Sequence, residues 1–70
     1  NPASSEITLE GKIPFKEIKI MDLQGKILVT RTELKVSKLI IPTSHFPKGV
    51  YIMIIKNILG GSKLKKVLFY

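Results

Sequence analysis

Phe46-Pro47-Lys48-Gly49-Val50-Tyr51-Ile52-Met53-Ile54-Ile55-Lys56 is the stretch whose reading decides the fold. A Pro-Lys-Gly turn opens directly into six apolar residues, and Lys56-Asn57 closes them. Val50, Ile52, Ile54 and Ile55 are β-branched, which stiffens χ1 and suits a pleated backbone. Both alternating sets are apolar (Val50, Ile52, Ile54 and Tyr51, Met53, Ile55), so a strand covered on both faces is expected. A buried helical segment is the rival reading, but the run is too short for a stable helix and turn residues bound it. The stretch is read as the central strand of a small β-domain. It carries no chemistry of its own.

Downstream, Asn57 to Gly61 ends in a glycine pair and reads as a hairpin tip. Ser62 to Tyr70 follows. As a helix it would gather Leu64, Val67 and Leu68 opposite Lys63, Lys65 and Lys66, like a short membrane-surface helix. About two turns, preceded by glycines and ending in aromatic residues, favour a lysine-rich strand instead.

Upstream, Lys38-Leu39-Ile40-Ile41 is a short strand that Pro42 ends or places at an edge. Arg31 to Ser37 is polar, with Leu34 and Val36 able to touch the core. Glu17 to Met21 and Lys26 to Thr30 flank Asp22-Leu23-Gln24-Gly25. Gly25 can take the positive φ that closes a hairpin, and Asp22 can accept from nearby backbone N–H groups. Glu6 to Glu10 alternates, with Ile7 and Leu9 inward, and Gly11 to Phe15 is expected to be a loop with Phe15 over the core. Asn1 to Ser5 reads as an extended entry.

Six or seven short antiparallel strands without a long helical pattern predict an all-β fold, a minimal sandwich with immunoglobulin-like packing. Seventy residues allow one domain, spanning 1–70, with a modest core. No cysteine is present, so neither disulfides nor thiolate-bound metal are expected. No apolar run approaches the roughly 20 residues of a membrane helix. The chain opens at Asn1-Pro2 without a starting Met, so a piece of a larger protein is expected.

Twelve basic residues against five acidic ones give a net charge of +7. That balance suits an anionic partner. The plainer account, which we favour, is that lysines keep a small β-protein soluble and discourage edge pairing. Catalysis is not expected. His45 stands alone in a turn, and Glu6, Glu10, Glu17, Asp22 and Glu33 are scattered. Neither a metal-ligand spacing nor a phosphate-binding glycine loop is present, and no cofactor is expected. Nucleic-acid binding would need aromatics interleaved with the charge, which leaves Phe69 and Tyr70 as the available stacking groups. An adhesive or carbohydrate-binding module is a further alternative, and the strand edges are open to self-association.

Four segments in order carry a family resemblance. Asn1-Pro2-Ala3-Ser4-Ser5 precedes Ile7 and Leu9; Ile18-x-Ile20-x-Asp22-Leu23-Gln24-Gly25-Lys26 follows; then come Phe46-Pro47-Lys48-Gly49-Val50-Tyr51 and Lys65-Lys66-Val67-Leu68. Over essentially its whole length the chain resembles the type A C-terminal sorting domain of proteins exported by the type IX (Por) secretion system of Bacteroidota. The resemblance implies an immunoglobulin-like sandwich at the end of a larger exported protein. It implies a cargo upstream, passage through the periplasm to an outer-membrane translocon, and removal of the domain by a sortase-type peptidase upstream of Asn1. The cargo would then be left on the cell surface, often on anionic lipopolysaccharide. Asn1 and Pro2 match the proline box, Asp22 and Gly25 the central hairpin, Gly49 and Tyr51 the glycine-tyrosine strand. Lys65, Lys66, Val67 and Leu68 match the basic-apolar terminus, which we expect the translocon to read. Pro42 and the closing Phe69-Tyr70 depart from the usual pattern.

Overall fold

Alternation in 6–10 and again in 17–21 predicts two strands, yet the chain makes them one. The computed structural model describes residues 6–69. Its strands are β1 (Glu6–Asp22), β2 (Ile27–Arg31), β3 (Val36–Pro42), β4 (Gly49–Asn57) and β5 (Ser62–Phe69). Every pairing is antiparallel, in the order β2-β1-β4-β5 with β3 also on β1. The all-β class is as expected. Five strands stand where six or seven were expected, because Gly11 to Phe15 continues β1 instead of forming a loop.

β1 is the hub, pairing with β2, β3 and β4. Its 17 residues would reach about 55 Å if straight, but the molecule's longest extent is 32 Å. The strand therefore bends. Between Glu10 and Phe15 the ladder to β3 breaks its register, and between Phe15 and Glu17 the ladder to β4 gains one residue, Lys16. That extra residue reverses the parity of the strand. Leu9 and Phe15, at odd positions, and Ile18 and Ile20, at even ones, thereby reach the same core.

All five strands belong to one sheet, in which β3 runs mainly along the first half of β1 and β2 and β4 along its second half. Ile18, Ile20 and Ile41 are completely buried, with Leu9, Phe15, Val29, Tyr51, Met53 and Phe69 around them. Each such isoleucine contributes about 1.5–3 kcal/mol relative to its exposed state. The 17 Å thickness of the molecule fits a sheet bent over itself at about 10 Å spacing plus outer side chains. Leu34 packs on this core, whereas Val36 is exposed.

β4 has a neighbour on each side, but its two faces differ. Tyr51 and Met53 are buried, while Val50, Ile52 and Ile54 are only half-buried. The expectation of two covered faces is corrected here: five strands leave no further layer for the outer face. Cross-strand partners on that face, Leu64 and Leu68 on β5 and Met21 on β1, shield one another instead. Pro42 ends β3, which among the described residues pairs only with β1, as proline at an edge allows.

The two tight hairpins share one construction. At β1–β2 the Asp22 Oδ1 accepts from the N–H groups of Gln24 and Lys26, both at 2.9 Å, with Gly25 at φ 89°. At β4–β5 the Asn57 Oδ1 accepts from Leu59 at 2.9 Å and Gly61 at 3.0 Å, with Gly60 at φ 93°. In each, four residues separate the strands and a glycine occupies the left-handed position.

Candidate functional site: the closing strand and its cleft

Position of the closing strand is set by an aromatic cluster. Phe46, in the turn before β4, lies 5.5 Å from Tyr51 and 5.1 Å from Phe69 between ring centroids, and Tyr51 and Phe69 lie 4.9 Å apart. All three pairs are tilted, at separations favourable for aromatic rings. The Tyr51 hydroxyl donates to the Pro47 carbonyl oxygen at 2.6 Å, a local closure like the tyrosine corner of immunoglobulin-type sandwiches. Gly49 sits between these groups at φ 148°, a conformation that side chains with a Cβ rarely adopt. The Phe-Pro-Lys-Gly-Val-Tyr motif is thus a structural device. It aims β4, and its Gly49 stands opposite Phe69 of β5.

β5 is a strand, not a helix, and pairs only with β4 among the described residues. Its other edge has no strand partner among the described residues. The register splits the basic-apolar motif between two faces. Lys65 and Val67 stand opposite Met53 and Tyr51 on the core side; Lys66 and Leu68 stand opposite Ile52 and Val50 on the outer side. Lys65, Lys66 and Leu68 are exposed, and Val67 packs partly on the core. Phe69 is 4% exposed, so it cannot serve as a base-stacking group; that expectation is corrected because its ring closes the aromatic cluster. Tyr70, Asn1 and Pro2 lie outside the described residues.

The ion pairs among the described residues join Glu17 to Lys19 at 3.6 Å and to Lys56 at 3.7 Å. Both are exposed enough to contribute little. Neither involves the lysines of β5, so the strand presents its charge uncompensated. Beneath it, a cavity of about 360 Å³ runs between the bend of β1 and the start of β5, and a second of about 180 Å³ continues along Ile7, Leu9 and Val67. Leu9 and Lys65 line both.

Of the remaining residues singled out in the sequence, Asp22 and Gly25 hold the first hairpin, far along β1 from the cleft. His45 is exposed in the turn between β3 and β4. No helix among the described residues is long and apolar enough to cross a membrane. Asn57 to Gly61 forms the expected hairpin, but the accepting role of the Asn57 side chain was not foreseen, although Asn57-Ile58-Leu59-Gly60 repeats the spacing of Asp22-Leu23-Gln24-Gly25. Phe46 and Phe69 were not foreseen as partners, since 23 positions separate them.

No curated protein and no solved structure matches the chain. A family model does, described as the secretion system C-terminal sorting domain, and its match covers residues 1–69. With the hairpin, the glycine-tyrosine corner and the basic closing strand now placed, the chain belongs to the C-terminal sorting domain family of the type IX secretion system.

Proposed function

We propose that this domain, of type A, addresses an upstream cargo to the outer-membrane translocon and that β5 is the element the translocon reads. Export as a C-terminal signal follows from the family; the role of β5 is our reading. The observation that carries it is the edge of β5 unpaired among the described residues, with Lys65, Lys66 and Leu68 exposed on a strand whose two ends are fixed by the Asn57 hairpin and the Phe69 ring. An edge strand offers unpaired backbone groups, and its side chains supply selectivity. Asn1 and Pro2 would mark the entry from the cargo. In this reading the host belongs to Bacteroidota, and a sortase-type peptidase cuts upstream of Asn1 and leaves the cargo at the cell surface. The domain itself carries out no reaction.

A reporter fused to residues 1–70 in a type IX-competent host tests this. Lys65→Glu with Lys66→Glu changes two exposed side chains and leaves the core intact, so secretion should fall while the reporter stays folded. Undiminished secretion of that double variant would remove β5 as the recognised element. Deleting residues 65–70 is a poorer test, because it also removes Phe69.

Adhesion to glycans and nucleic-acid binding have less support. Both call for exposed aromatic surface, and Phe15, Tyr51 and Phe69 are buried while Phe46 packs against the last two.

A further inference from the structure

β1 pairs with β4 only from Phe15 onward. From Glu6 to Glu10 its described partner is β3 alone, and from Gly11 to Pro14 the registers assign it none. Among the described residues the edge of β1 turned away from β3 is therefore unpaired from Glu6 to Ile13, up to the Pro14 carbonyl oxygen that accepts from Ile58 at 3.0 Å, and so is the outer edge of β5. The two cavities, neighbours that share Leu9 and Lys65, are lined by residues of these segments. Their combined floor is apolar, with Leu9, Phe15, Met53 and Ile55, and their rim carries Lys12, Lys63, Lys65 and Lys66 against a single acid, Glu10.

We propose that this cleft receives an extended acidic segment of a partner protein, added as a strand beside the free edges of β1 and β5. Backbone groups of the segment would meet the unpaired edges, its alternate apolar side chains would face Leu9 and Met53, and its carboxylates would meet the rim lysines. Four lysines and one acid make the charge preference steep. A second copy of this chain is a poor occupant: at a net charge of +7, its own lysine-rich strand would set like charges across from each other. The same lysines thus repel self-pairing and admit an acidic strand. The inference rests on the sorting reading only for where the partner is found, not for the chemistry of the cleft.

The probe is a capped synthetic peptide alternating valine and glutamate, about eight residues long, enough to run beside residues 6–13 at about 3.3 Å per residue. Added to the seventy-residue chain, it should protect amides of 6–13 and 62–68 from hydrogen exchange. Its affinity should fall by about tenfold or more between low and molar salt. A peptide with lysine in place of glutamate should not bind. Lys63→Glu with Lys65→Glu should reverse that preference, while a dispersed amide spectrum shows the variant folded. No protection on either edge, protection elsewhere, or equal binding of both peptides would overturn the proposal. In the secretion assay, this double variant should lose export. Export retained by the variant would overturn the cleft as a secretion surface and spare the sorting role, whereas failure of the unmodified domain to export would overturn the sorting role and leave the peptide result standing.

Discussion

The Tyr51 hydroxyl donates to the Pro47 carbonyl oxygen at 2.6 Å, tying the turn before β4 to the strand that it launches. The ring beneath that hydroxyl is packed against Phe46 and Phe69. The two contributions are separable. Tyr51→Phe removes one hydrogen bond and should cost about 1 kcal/mol; Tyr51→Ala also empties the aromatic cluster and should cost about 3 kcal/mol or more. Urea denaturation of the two variants checks this, and equal costs would mean that the ring contributes nothing beyond its hydroxyl.

Gly49 should be nearly irreplaceable by a larger residue. At φ 148° an added Cβ strains the backbone whatever the surrounding space, by about 1–3 kcal/mol. Gly49→Ala is expected to lower the unfolding free energy by that amount, which moves the denaturation midpoint without changing the slope of the transition.

The paired hairpins make a matched comparison. Asp22→Ala and Asn57→Ala each strand two backbone N–H groups that a side-chain oxygen now satisfies. Both sites are exposed enough for water to replace part of the loss, so each should cost about 1 kcal/mol. Asp22→Asn and Asn57→Asp keep the accepting oxygen and should be close to neutral. Thermal denaturation of the four variants decides it.

Side chains of β5 should divide sharply by face. Phe69→Ala should cost about 3–5 kcal/mol as a buried aromatic truncation, enough to unfold a domain of marginal stability. Leu64 is 65% exposed, and Leu64→Lys should stay within about 0.5 kcal/mol. Circular dichroism against temperature separates the two outcomes.

Much of the architecture was legible because the local signals agree with it. Ile18 and Ile20 alternate cleanly and are fully buried; Asp22 and Gly25 close the hairpin that their chemistry specifies. The continuity of β1 was not legible, because a single extra residue at Lys16 reverses strand parity and looks in sequence like a break. Nor was the outer face of β4, since Val50, Ile52 and Ile54 are as apolar as a fully covered strand although the sheet covers only one side. In the candidate site, the basic-apolar order of Lys65 to Leu68 was visible, but its division between two faces follows from the register with β4. The cleft combines residues from 7 to 68, and no local pattern announces a surface assembled over that distance.

The ring that completes the aromatic cluster belongs to residue 69, while the rings it meets belong to residues 46 and 51. A polypeptide interrupted anywhere before that position lacks the keystone of its own folded address. Cutting the chain upstream of Phe69 would leave the rings of Phe46 and Tyr51 without their third partner, so the last stretch of the domain is needed to close a cluster begun more than twenty residues earlier.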